Sequence, residues 1–163
     1  MPEDITKKVL QRLHYGFYSV TSRSGEDLNA MVLNWLTQVS FNPRMIAIAL
    51  QKSSYTHNLI EIGKVFAINI FSKNDKEIIK PIAKSRKKNP NKMNELEYSL
   101  GQKTGCPIIE GSSAFLECQV VEILDIGGDH DIVVGEVINA GQKKPGDVED
   151  TLALADIGWS YAG

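Results

Sequence analysis

The residues whose types and spacing could do chemistry are concentrated in the stretch 28–57, LNAMVLNWLTQVSFNPRMIAIALQKSSYTH. Its final step, KSSYTH, supplies hydroxyls on Ser53, Ser54 and Thr56 that can donate to phosphate oxygens. Lys52 adds an opposing charge. A helix that begins here would also offer unpaired N–H groups and partial positive charge, so we expect a phosphate site. The alternative is that the serines only cap the helix.

Polar side chains also interrupt the strand-like stretch 28–41 that precedes this step. Regular alternation puts Asn34 and Gln38 on one face of a strand and Asn29 with Thr37 on the other. Such side chains, together with main-chain amides, could hydrogen-bond the edge of a planar heterocycle. The alternative is an edge strand whose amides are solvated.

The overall composition restricts the class of protein. The chain has 163 residues, 42% hydrophobic and 23% charged, which suits one globular domain over residues 1–163. A net charge of −2 disfavours nucleic acid as a partner. No apolar run approaches the length of a membrane span, and the N-terminal residues lack the apolar core of a secretion signal.

Cysteine and histidine usage points the same way. The two cysteines, Cys106 and Cys118, have neither CxxC spacing nor the count of a disulfide framework, which favours a reducing cytoplasm. The three histidines have no HxH or HxxE partner, so we expect no metal site.

Hydrophobic periodicity and turn residues predict a mainly β chain with short helices. Asp4 and then Ser53 or Ser54 are predicted helix caps, and Asn74 with Glu77 forms a capping box for a helix that Pro81 limits. The basic stretch 84–94 is predicted to be a long, mobile excursion. The predicted strands cover residues 15–22, 28–34, 36–41, 45–51, 64–71, 114–124 and 131–139, the last two joined by a Gly127-Gly128-Asp129 turn.

Strands outnumber helices, and the helices are irregularly placed. This pattern favours a closed or partly closed antiparallel barrel over a βαβ sheet. The segments YGFYSVTS, LNAMVLNWLTQVSFNP, KSSYTH, GKVFAINI and GDHDIVVGEV, in this order, resemble the flavin reductase-like, FMN-binding split-barrel family, of antiparallel Greek-key type. The resemblance covers most of the chain, from Tyr15 to the terminal GWSYAG.

The resemblance implies a set of cofactor contacts for this chain. Residues 29–32 match the segment that contacts the flavin ring, and Asn34 stands where many members carry Ser or Thr. Thr37 and Gln38 match a polar pair beside the ribityl chain or ring. The step from residue 52 to residue 57 matches the phosphate segment. The implied cofactor-binding residues are Asn29, Ala30, Met31, Val32, Asn34, Thr37, Gln38, Lys52, Ser53, Ser54, Thr56 and His57.

Three further features lie outside this set. His130 matches a histidine near flavin and nicotinamide, so the resemblance implies a positioning role without acid–base catalysis. Trp159 and Tyr161 predict an aromatic contact at the flavin cleft or across a dimer. The basic run 84–92, KSRKKNPNK, is by default a solvated loop. The alternatives are a basic lid over the flavin phosphate or a docking patch for an acidic partner.

The resemblance implies a homodimer that binds FMN non-covalently and passes electrons from NADH or NADPH to flavin. Two other functions stay open at this point. One is an FMN electron carrier reduced by a rubredoxin- or ferredoxin-type protein partner. The other is a flavin-binding module without redox turnover.

Overall fold

The computed structural model describes residues 3–160, and strands dominate them. The two α-helices are α1, Ile5–Leu10, and α2, Tyr55–Gly63. Short 3₁₀ helices cover Lys76–Ile82, Lys92–Asn94, Val148–Asp150 and Leu154–Ile157. The strands are β1 Tyr18–Ser24, β2 Asp27–Leu33, β3 Leu36–Phe41, β4 Arg44–Gln51, β5 Val65–Ile70, β6 Tyr98–Leu100, β7 Pro107–Ile109, β8 Ala114–Asp125 and β9 His130–Gln142.

Seven strands form one antiparallel sheet in the order β2-β1-β5-β8-β9-β4-β3, and β6 pairs with β7 separately. The two outer strands of the large sheet, β2 and β3, are consecutive in the chain and are joined only by Asn34 and Trp35. The sheet must therefore curl until its edges approach each other. This confirms the predicted split β-barrel.

Apolar side chains from the curled sheet and from α2 form the main core. Val20, Ile48, Ile60 and Phe66 are each at most 2% exposed and belong to one cluster. Gly135 of β9 permits this packing, because a Cβ at that position would lie 2.5 Å from the Phe66 ring. A second cluster packs beside the barrel and contains Phe17, Phe71, Ile82, Leu152 and Leu154.

The chain segments that connect the strands differ most from expectation. The capping box of Asn74 and Glu77 is wrong: Lys76–Ile82 is a 3₁₀ helix whose N-cap, Asp75, makes no side-chain capping bond. Pro81 lies inside this helix and lacks the N–H that an α-helix needs there. No helix in the described part of the chain is long and apolar enough to cross a membrane.

Candidate functional site

A groove runs along β2 and consists of two adjoining cavities. The larger, the main cavity, has a volume of about 640 Å³ and lies between β2, the start of α2 and segment 82–87. The smaller, the tryptophan pocket, has a volume of about 110 Å³ and is lined by Trp35 and His130. Met31, Val32 and Gln51 line both cavities, which makes the groove continuous.

Strand β2 forms one wall of the main cavity. Asn29 is 2% exposed, and its Nδ2 donates to the Thr56 hydroxyl over 2.9 Å. Its Oδ1 accepts from Arg86 over 3.3 Å. Asn29 therefore ties β2 to α2 and to segment 82–87, while its neighbour Ala30 is fully buried in the second apolar cluster. Of the predicted ring-contact segment, Asn29, Met31 and Val32 line the groove.

The start of α2 forms the opposite wall. Ser54 is the N-cap, as predicted, and its side chain accepts from the backbone N–H of His57 over 3.1 Å. Ser53, Ser54 and Tyr55 line the main cavity. The first-turn N–H groups of α2 have no acceptor within the helix, because the helical pattern only begins there. These groups, together with the serine hydroxyls, suit an anion.

Lys52 and His57 are paired with acidic side chains and do not face the main cavity. The Lys52 Nζ lies 2.7 Å from Asp125 and 3.8 Å from Asp131. The hydrogen bond to Asp125 raises the pKa of Lys52. The His57 Nε2 lies 2.6 Å from Asp131, and both side chains are over nine-tenths buried. The two residues thus join the start of α2 to the β8–β9 hairpin and do not line the groove.

Arg86 connects segment 82–87 to both walls. Its Nη1 donates to the backbone oxygen of Leu28 over 2.7 Å, and its guanidinium lies 4.6 Å from the centroid of the Tyr55 ring. Its Nη2 is 3.7 Å from Asp27. The Tyr55 hydroxyl bonds to Asp27, and this hydrogen bond raises the pKa of Tyr55. Arg86 is thereby held at the rim of the main cavity.

Lys92 is a buried cation beside the same cavity. It lines the main cavity but is 0% exposed, and its Nζ donates to the backbone oxygens of Lys84 over 2.6 Å and Ile82 over 3.4 Å. Burial, with a smaller contribution from the charge of Arg86, lowers the pKa of Lys92 to about 8. The default prediction of a solvated basic loop is therefore wrong for this residue.

Aromatic side chains define the tryptophan pocket. The rings of Trp35 and His130 lie 4.8 Å apart, centroid to centroid, with a tilt of 48°. The His130 Nδ1 is 2.7 Å from Asp129, and this bond lowers the pKa of Asp129. Asn34 also lines the pocket, and its amide donates to the backbone oxygen of Gly16 over 3.0 Å. The groove therefore has an aromatic end, at Trp35 and His130, and a cationic end, at Arg86 and Lys92.

Three other predicted contacts lie away from the groove. Thr37 lines a different cavity beyond Trp35, and Gln38 bonds to the backbone oxygen of Ser40 over 3.1 Å, beside an irregularity in the β3–β4 register. Trp159 packs edge-on against Phe17 at 5.9 Å and is 43% exposed. Tyr161 lies outside the described residues.

Several residues that line the groove are not predicted from the sequence. Tyr55 lies within the phosphate motif KSSYTH, and Trp35 lies between the polar residues Asn34 and Thr37, but neither was assigned a contact. Arg86 and Lys92 were covered only by the alternative of a basic lid. The signal for these cations was the basic stretch 84–92, but the sequence does not show which of its side chains turn toward the cavity.

The remaining titratable clusters offer no metal chemistry in the described residues. Within residues 3–160, no group of three or more His, Cys, Asp or Glu side chains could hold a metal ion. Both cysteines are free and buried, and burial raises the pKa of Cys106 to about 11 and of Cys118 to about 12. These thiols are therefore protonated core side chains.

Known proteins of similar sequence include flavin reductases and flavoproteins. The family described as "Flavin reductase like domain" matches residues 10–160. The ferric-chelate reductase (NAD(P)H) of Archaeoglobus fulgidus is 30% identical over 89% of this chain and 84% of its own length. The putative diflavin flavoprotein A 1 of Nostoc sp. is 30% identical over 82% of this chain, which spans only 24% of that relative.

A solved structure agrees with these sequence relatives. The NADH:FAD oxidoreductase SgcE6 of Streptomyces globisporus, solved with NAD and FAD fragments, superimposes with a TM-score of 0.74 and 27% identity, over 83% of this chain and 79% of that one. The fold and the sequence matches define a flavin reductase-like domain. The chain belongs to the flavin reductase-like family, as the sequence segments predicted.

Proposed function

We propose that this protein binds FMN non-covalently in the groove and reduces flavin with NADH or NADPH. The observation that carries the proposal is the polarity of the groove. One end combines the start of α2 with Arg86 and Lys92, whereas the other end is walled by Trp35 and His130. A phosphorylated flavin has the matching asymmetry, with an anion at one end and a flat ring at the other.

The cationic end fits a terminal phosphate. Ser53 and Ser54 would donate hydroxyl hydrogen bonds, and the first-turn N–H groups of α2 would supply further donors. Lys52, Thr56 and His57 enter this proposal as supports: their side chains brace Asn29, Asp131 and the hairpin rather than facing the cavity.

The aromatic end fits the flavin ring and a nicotinamide. The two-electron redox chemistry would come from the bound flavin, while the protein supplies position, stacking and exclusion of water. Met31 and Val32 would bring main-chain amides to the ring edge, and Asn34 would present a polar side chain. His130, fixed by Asp129, would orient the nicotinamide or bond to the ring without acting as an acid or base.

A homodimer in the cytoplasm completes the proposal. The edge strand β3 exposes Phe41 at 90% and Val39 at 51%, and α1 exposes Ile5 at 63% and Val9 at 58%. A second copy of the chain would cover such apolar surface. Two free thiols suit a reducing compartment.

A second candidate is an FMN electron carrier reduced by an acidic redox protein. It is favoured by the exposed cations Lys84, Lys87 and Lys88 near the main cavity, which have no ion-pair partner among the described residues. A flavin-binding module without redox turnover would share the groove but would need neither a nicotinamide nor a redox protein as electron donor.

One experiment separates these functions. The visible absorption spectrum of the purified, FMN-loaded protein is recorded anaerobically before and after NADH or NADPH is added. We expect a bound-flavin band that bleaches with the nicotinamide. A band that persists, but bleaches with a reduced rubredoxin or ferredoxin, would favour the carrier. Failure to retain FMN after removal of the excess would refute the proposal.

A further inference from the structure

The charge around the main cavity is unbalanced. Lys84, Arg86, Lys87 and Lys92 all line it, whereas the nearby carboxylate of Asp27 is engaged by Tyr55 and Arg86. The unbalanced charge is most consequential at Lys92, because this side chain is 0% exposed. A buried charge is unfavourable unless an opposite charge or sufficient hydrogen bonds compensate it.

The partners of Lys92 are carbonyl oxygens and not carboxylates. Its ammonium donates to Lys84 over 2.6 Å and only weakly to Ile82 over 3.4 Å, which leaves a third N–H without a partner in the described residues. No acidic side chain lies within ion-pair distance in residues 3–160, and the nearest charge that acts on it is the like charge of Arg86. An anion in the adjoining cavity would supply this compensation.

We propose that Lys92 is the specificity determinant for the phosphate of the flavin: its buried charge selects a terminal phosphate monoester with two charges on one phosphorus, as in FMN, over a neutral riboflavin and over the diphosphate diester of FAD, in which each phosphorus carries a single charge. This inference rests on the proposed function. Because Lys92 is inaccessible to solvent, it acts through the electric field in the cavity and by fixing the backbone of Ile82 and Lys84. It is a positioning residue rather than a catalytic one.

We expect Lys92 to take up a proton when FMN binds. With a pKa of about 8, roughly three-quarters of Lys92 is neutral at about pH 8.5. A dianion in the cavity favours the charged form and raises that pKa, so FMN binding takes up a proton. The phosphate is already a dianion at this pH, because its second pKa is about 6.

The other charged groups beside Lys92 are Lys84, Arg86 and Lys87, which line the same cavity, and Asp27, which is paired with Arg86. The hydrogen bond to Asp27 raises the pKa of Tyr55 above its ordinary value of 10.0, which is above the pKa of Lys92. Affinity for FMN, but not for riboflavin, is thus expected to fall as the pH rises through about 8.

The test compares FMN, riboflavin and FAD on the flavin-free protein by isothermal titration calorimetry. At about pH 8.5, buffers of different ionisation enthalpy report the protons taken up on binding. We expect net proton uptake with FMN and almost none with riboflavin, whose identical ring controls for ring ionisation. The variants are Lys92→Met, which removes the charge, Lys92→Arg, which keeps it, and Lys88→Met, which removes an exposed charge that does not line the cavity.

Lys92→Met is expected to weaken FMN about ten- to hundredfold, to leave riboflavin unchanged and to abolish the proton uptake. Lys92→Arg should keep the preference for FMN over riboflavin, and Lys88→Met should resemble the parent protein. If Lys92→Met does not fold, the proton uptake of the parent protein and the pH dependence of its affinity for FMN and riboflavin still test the role of the Lys92 charge.

Equal binding of FMN and riboflavin by the parent protein, or an unchanged preference for FMN in Lys92→Met, would overturn the role of Lys92 while leaving flavin binding intact. Binding of neither flavin would instead remove the proposed function itself.

Discussion

Glu117 is a buried carboxylate that the groove does not use. It is 0% exposed and accepts hydrogen bonds from Thr104, from the backbone of Lys103 and from the Asn139 amide, the last over 2.6 Å. Burial raises the pKa of Glu117, but these hydrogen bonds outweigh burial and hold that pKa below its ordinary value of 4.5. The charged form is therefore the one that the fold stabilises.

We predict that Glu117→Gln lowers the free energy of unfolding by about 2 kcal/mol near neutral pH, because an amide cannot accept all these donors. A depressed pKa contributes stability above the unfolded-state value, and that stability is lost as the pH falls through the folded-state value. The deficit should therefore shrink below pH 4.5. Urea unfolding across this range measures it, with exposed Glu122→Gln on the same strand as control. A deficit independent of pH would contradict the prediction.

At the scale of elements, local rules predicted the seven strands of the large sheet, missed the short strands β6 and β7, and predicted the side-chain partners poorly. The turn at Gly25, the proline after Asn42 and the serine cap of α2 mark boundaries in short sequence windows, and the structure has them within a few residues. The partners of Lys52 and His57 are on the β8–β9 hairpin, more than 70 residues along the chain. Pairing over such separations depends on the assembled sheet, which a motif cannot encode.

Arg86 ties segment 82–87 to the rest of the chain, because it bonds to Leu28 and packs over Tyr55. We predict that Arg86→Met speeds amide hydrogen exchange in residues 82–92 about tenfold, since local opening loses a charged hydrogen bond and a cation–π contact. Hydrogen exchange read by mass spectrometry checks this, with Lys88→Met as the matched control. Unchanged exchange in the segment would show that apolar packing alone holds it.

Across the whole molecule, the last described stretch belongs to the core. Gly16 bridges to Ala153 and Ser72 bridges to Thr151, while Leu152 is 0% exposed in the cluster that includes Ile82. Because Ile82 also lines the main cavity, this stretch supports the cavity from behind. The sequence predicts a cleft or dimer contact for Trp159 and Tyr161, but it gives no signal for the packing of Leu152 in the core.

We therefore predict that truncation after Gly146 prevents stable folding. It removes Leu152 and Leu154, each worth several kcal/mol when buried in a core, whereas truncation after Gly158 keeps both. Thermal unfolding followed by circular dichroism should show no cooperative transition for the shorter chain and a nearly unchanged one for the longer. A cooperative, parent-like transition after removal of residues 147–163 would contradict the role of this stretch.

Two adjacent residues of the β8–β9 hairpin contact different ends of the groove. His130 lines the tryptophan pocket, and Asp131 pairs with His57 and Lys52 at the start of α2. Because one peptide bond joins these two residues, the hairpin fixes the position of the aromatic end relative to the start of α2. Changes of length or sequence in segment 82–92 can then alter the cationic end of the groove, while the distance between its two ends stays set by the sheet.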